Sequence, residues 1–102
     1  MSQTREEYLQ EEARLIILRM LAEESNESLS SNLIVRELRE QWMVPRERPW
    51  VHAQLDYLAE AGAVTVVDAK TVKIATLTQR GHRHLSREIA IEGVKRPSRP
   101  GE

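Results

Sequence analysis

Two apolar stripes at helical spacing, Leu33-Ile34-Leu38-Trp42 and Val51-Leu55-Leu58, stand either side of a short break that contains Pro45 and Pro49. The residue before a proline disfavours the helical region, so Val44-Pro45 ends the first of these helices near Trp42. Ser30 or Ser31 is its N-cap, and Arg36, Glu37, Arg39 and Glu40 lie mainly off the inner stripe. Pro49 falls in the first turn of the next helix, where a missing amide donor does no harm. Gly62 closes that helix at the position favouring a left-handed conformation. Two helices joined by a turn as short as Pro45 to Arg48 make a helix-turn-helix unit.

The flanking chain fits the same unit. Ala63 to Val67 and Thr71 to Leu77 are rich in β-branched residues and are separated by Asp68-Ala69-Lys70, which predicts two antiparallel strands. In the second strand Val72 and Ile74 alternate with Thr71, Lys73 and Ala75, as a strand with one wet face would. Upstream, Thr4 and Glu7 predict a capping box opening a helix from about Arg5 to Glu24. Leu9, Ala13, Ile16, Ile17, Met20 and Leu21 give that helix its apolar face. Ser25 to Ser28 is polar and stops it. Leu29 is a lone apolar residue that, if extended, packs inward beside the hairpin. Thr78 caps a last helix from Gln79 to about Ile91, with Leu85, Ile89 and His82 on its inner side. Gly93 onward holds two prolines and two glycines in ten residues. The expected fold is mainly α with a small β-hairpin (α+β). It is a winged helix-turn-helix with a three-helix core, a two-stranded wing and an extra C-terminal helix. Residues 1–92 form the domain and 93–102 an extended, flexible basic tail.

Composition narrows the function. A chain of 102 residues is one domain. With no phenylalanine, aliphatic side chains build most of the interior, and with no cysteine there are no disulfides, thiolate metal sites or cysteine nucleophiles. No apolar run approaches the roughly 18–20 residues needed to span a bilayer. Met1 to Glu12 is polar and acidic, unlike a signal peptide, so a cytoplasmic location is expected. His82 and His84 are two apart, diverge on a helix and cannot share a metal. No HExxH, P-loop, GxGxxG or GxSxG occurs, and Glu6-Glu7 and Glu11-Glu12 read as hydrated acids near a helix start. Neither catalysis, cofactor nor metal is expected.

Charge is uneven. Residues 1–44 carry five basic against nine acidic side chains, and residues 45–102 carry ten against seven, for an overall −1. The basic excess falls where a helix-turn-helix with a wing meets double-stranded DNA, its second helix in the major groove and its hairpin on a neighbouring groove or backbone. Arg46, Arg48, His52 and Gln54 project away from the Val51-Leu55-Leu58 stripe and are the candidate groove contacts, since arginine pairs with guanine and glutamine with adenine. Lys70 and Lys73, at or near the hairpin tip, are candidates for phosphates. Glu47, Asp56 and Asp68 sit nearby and repel phosphate. Trp50 reads as packing against the first turn, with base stacking as the alternative. Arg80, His84 and Arg87 follow i, i+4, i+7 with Arg83 adjacent, making a basic face for extra backbone contacts, an acidic partner, or simple hydration. Lys95, Arg96 and Arg99 in the tail add charge.

Several runs carry a resemblance. These are Arg14-Leu15-Ile16-Ile17-Leu18-Arg19-Met20-Leu21-Ala22, Ser30-Ser31-Asn32-Leu33, Gln54-Leu55-Asp56-Tyr57-Leu58-Ala59-Glu60-Ala61-Gly62, Ala75-Thr76-Leu77-Thr78-Gln79-Arg80-Gly81 and Gly93-Val94-Lys95-Arg96-Pro97. Together they resemble the small winged-helix proteins of Mu-like phages and prophages over nearly the whole chain. The Leu-Thr-x-x-Gly step is shared by many winged-helix regulators, and the closing Gly-Val-Lys-Arg-Pro is the more telling element. The resemblance implies the fold, a phage origin, and a DNA-binding or regulatory role. The expected function is therefore a phage-derived transcriptional regulator acting as a homodimer on paired half-sites. The alternative is a winged-helix module that binds another phage protein in assembly or packaging.

Overall fold

The computed structural model describes residues 3–98. In chain order its elements are α1 (Arg5–Glu23), β1 (Ser28–Ser30), α2 (Ser31–Trp42), α3 (Arg48–Glu60), β2 (Val64–Ala69), β3 (Val72–Leu77) and α4 (Gln79–Leu85). This is an α+β fold of four helices and a three-stranded antiparallel sheet.

The capping box at Thr4 forms as the spacing predicts. Thr4 Oγ1 accepts from the Glu7 amide at 3.0 Å, and Glu7 Oε1 accepts from the Thr4 amide at 2.9 Å. Over its second half α1 buries more than one stripe, because Leu15 and Leu18 are covered as well as Ile16, Ile17, Met20 and Leu21. A helix apolar on most sides belongs inside, and α1 packs against all three other helices and β3. Full burial of a side chain such as Ile17 or Leu21 contributes about 1.5–3 kcal/mol.

Ser30 caps α2, its side chain accepting from the Leu33 amide. Ile34 and Leu38 are fully buried, but Leu33 and Trp42 are not the inner stripe expected: they stand 44% and 43% exposed. At 100° per residue Leu33 lies about 120° from the Ile34–Leu38 mid-line, off the buried face, whereas Trp42 lies nearer that line but is the last residue of the helix. Met43 then turns into the left-handed region at φ 57°, which brings the Val44 amide to the Leu38 carbonyl. In α3, Val51, Leu55 and Leu58 are completely buried and Pro49 sits in the first turn. Gly62 follows at φ +80°.

The sheet has order β1-β3-β2, so the hairpin gains a third strand. Leu29 pairs with Ala75 and packs inward, as its isolated apolar character suggested. The hairpin turns through Lys70-Thr71, with Lys70 at φ +60°. Its faces are the reverse of the expected ones. Ala75 and Leu77 are buried, whereas Val72 and Ile74 lie on the opposite, partly exposed face. A strand's side chains alternate strictly, so the two residues nearest the core decide the face for all of it.

The largest departures lie after β3. Thr78 caps α4, accepting from the Gly81 amide and donating to the Gly62 carbonyl at 2.6 Å. A Cβ on Gly81 would stand 2.4 Å from the Ala63 carbonyl oxygen, so only glycine lets α4 sit this close to the chain before β2. The helix ends at Leu85 rather than near Ile91, and Arg87 reverses the chain at φ +68°. His84, not His82, is the buried histidine: Nδ1 accepts from the Ile91 amide and Nε2 donates to the Lys95 carbonyl. His82 instead meets Glu27. The segment expected as an extended tail makes contacts with the rest of the fold as far as Pro97. Val94 and Pro97 are buried, and the Lys95 amide bonds the Glu11 carbonyl. Arg99 lies outside the described residues.

Candidate nucleic-acid interface

The outward face of α3 adjoins the hairpin. His52 on α3 and the Lys73 backbone on β3 meet at the buried hydroxyl of Ser31, the first residue of α2. Ser31 Oγ accepts the Lys73 amide at 3.0 Å and lies 2.9 Å from His52 Nε2. One small side chain thus ties both members of the helix pair to the hairpin. Burial, and then the nearby Lys73 and Arg48 charges, push the His52 pKa down.

Around this join the expected contacts separate into three groups. The first is Arg48, His52 and the lysines of the hairpin, with the Arg48 charge close enough to act on the His52 ring. Arg48 opens α3 and is exposed, and Lys70 is exposed at the hairpin tip. Lys73 belongs to this group but is committed, its Nζ 2.8 Å from Asp68 and 3.6 Å from Asp56. The Asp68 hydrogen bond holds the Lys73 ammonium above the usual lysine range and, reciprocally, the Asp68 carboxyl below its own.

Arg46 and Gln54 form the second group and face α1. Gln54 is 2% exposed, accepting from Arg14 Nε at 2.9 Å and donating to the Trp50 carbonyl, so it has no reach toward a groove. Arg46 is 2.8 Å from Glu6 and lies over the Trp50 ring. The Trp50 indole donates to the same carboxylate, which makes Trp50 a packing residue. That indole bond, with those from Gln10 and Arg46, holds the Glu6 carboxyl below its usual range.

The third group is the α4 basic face, which does not assemble. Arg80 bonds the Ala61 carbonyl beyond the C-terminal end of α3, about 20 Å of helix away from Arg48. Arg83 faces Glu88, and Arg87 reaches the Pro97 carbonyl. His84 is buried beneath them.

Sequence reasoning missed a neighbouring set on α2. Asn32, Arg36 and Arg39 line a cleft of about 620 Å³ against Arg48 at the start of α3. Their i, i+4, i+7 spacing was a legible signal. Arg36 is balanced by Glu40 and Arg39 by Glu47, at 3.6 and 3.7 Å.

Over 89 residues the chain is 36% identical to the uncharacterized protein gp26 of Escherichia phage Mu, a match covering 87% of this chain and 91% of that protein. The chain belongs to the gp26 family. A contiguous stretch of that length in a 102-residue chain takes in residues 14–89 wherever it starts, so α2, α3, the hairpin and α4 all lie within the gp26 match. No family model and no solved structure matches. Among the described residues no helix is long and apolar enough to cross a membrane.

Proposed function

We propose that this phage-related protein is a winged-helix DNA-binding protein, a transcriptional regulator that acts as a dimer on paired half-sites and has no catalytic role. The observation that carries the reading is the α2–α3 pair followed by the β2–β3 hairpin, with Arg48 exposed and His52 partly exposed at the start of α3 and Lys70 exposed at the hairpin tip. In this reading the first turns of α3 enter a major groove, with Arg48 the principal donor to base edges or phosphate. Lys70 meets backbone phosphate at the hairpin tip. Arg36 and Arg39 add backbone contacts from α2 once their carboxylate partners yield, and the α4 arginines stay off the duplex.

Fluorescence anisotropy with phage duplex DNA at 50 and 200 mM salt tests this. Affinity that falls steeply with salt and drops when Arg48 or Lys70 becomes alanine supports the reading. Affinity insensitive to both changes contradicts it.

A second reading, a protein-interaction module of phage assembly or packaging, is favoured by a specific observation. Glu47 precedes Arg48, and Asp56 and Asp68 already hold Lys73, so acids stand among the candidate contacts. Absence of DNA binding even at low salt selects that second reading.

A further inference from the structure

The end of α2 away from the hairpin carries the more exposed of the two tryptophans. Trp42 is 43% exposed, and Met43 beside it is 81% exposed. Trp42 walls a groove of about 430 Å³ between the last turns of α1 and α2, with Met20, Gln41 and the carboxylates of Glu23, Glu24 and Glu37 as its other walls. None of those three carboxylates makes a salt bridge among the described residues, whereas Glu6, Glu40 and Glu47 each meet an arginine. Two of them end α1, which has no basic residue in its last turn. Acids at a helix C-terminus oppose the macrodipole, so the charge of these carboxylates is met neither by the helix end nor by a salt bridge among the described residues.

We propose that the groove docks a cationic segment of a partner protein, a peptide bearing lysines or arginines and one apolar side chain that packs on Trp42. The charge of the rim selects the sign of the partner. The half-exposed indole supplies the apolar anchor and a ring face for a cation, the kind of residue on which interface energy concentrates. The proposal does not depend on DNA binding, since Glu37 and Gln41 lie on the α1 side of α2 and the arginine cleft lies on its α3 side.

The test is an amide and indole NMR titration of the full chain with a synthetic Lys/Leu amphipathic peptide, against a Glu/Leu peptide of equal length. Saturable shifts of the Trp42 indole and of amides at the ends of α1 and α2, with the Trp50 indole unmoved, support the proposal. So does about tenfold weaker binding by the E23Q/E24Q/E37Q variant, the loss expected from three exposed ion pairs. Trp42→Ala, at a half-exposed position, should lose the binding too. Absence of shifts, shifts centred on α3, or binding indifferent to the glutamate changes would overturn it. Dilution-dependent shifts at these residues without peptide would also overturn it, by making a second copy the occupant.

Discussion

The Arg14 guanidinium lies 3.6 Å over the centre of the Tyr57 ring. Through that stack α1, α3 and the closing segment become one unit, because Arg14 also donates to Gln54 and to the Gly93 carbonyl, and the Tyr57 hydroxyl donates to the Glu92 carbonyl. Burial pulls the Arg14 pKa down, yet an arginine stays charged at any ordinary pH. The cation is buried with its donors used, as a buried charge requires.

Arg14→Ala should cost about 2–4 kcal/mol of stability, since it strands the Gln54 and Gly93 acceptors as well as removing the stack. Tyr57→Phe keeps the ring and should cost only about 0.5–1.5 kcal/mol. Urea unfolding midpoints of the two variants check the ordering.

Gly93 sits at φ +82°, and a Cβ there would stand 1.9 Å from the Tyr57 hydroxyl oxygen. Gly93→Ala should therefore release residues 93–98 from α1, speeding hydrogen exchange at the Lys95 amide, which bonds the Glu11 carbonyl. Gly62→Ala shares the positive φ but meets only the flexible Arg80 side chain, at 3.2 Å. It should cost about 1 kcal/mol and leave the Lys95 amide protected.

Stability should fall as pH drops through about 6.5. The His52 pKa is lowered in the folded chain from its ordinary 6.5, so the unfolded chain takes up a proton first and is favoured as acid is added. The contribution is fully present above the unfolded value and lost below it, down to the folded value. Denaturation at pH 7.5 and 5.5 should show a smaller loss for His52→Gln than for the parent chain.

Arg46, Arg48, Gln54 and Lys70 should not behave alike as candidate DNA contacts. Arg48→Ala should weaken duplex binding by about 1–3 kcal/mol, and Lys70→Ala should lower the salt slope by about one. Arg46→Ala and Gln54→Ala should alter stability more than affinity, because both side chains are engaged with α1. Paired anisotropy and unfolding measurements separate the two effects.

Where a feature is local, the sequence displayed it. The Thr4-Glu7 box, the Val51-Leu55-Leu58 stripe, the Pro49 start and the Gly62 stop each depend on residues within a turn or two, and each formed. What was not legible depends on distant partners. Gln54 reads as a surface residue until Arg14, forty positions earlier, supplies the buried hydrogen bond. β1 is three residues with one apolar side chain, and only pairing with β3 makes it a strand. The α4 boundary was misplaced because His84 takes the Ile91 amide and folds the chain back. In this light the Leu77-Thr78-x-x-Gly81 and Gly93-to-Pro97 runs are packing devices: a cap with a close helix approach, and a strap beneath Tyr57.

An amide NMR titration with duplex DNA at low salt tests most directly the proposal that the start of α3 and the hairpin tip bind DNA. Shifts should concentrate at Arg48, His52 and Lys70 and their neighbours, sparing Gln54 and the α4 arginines. No shifts, or shifts gathered around Arg80 and Arg83 instead, would contradict it.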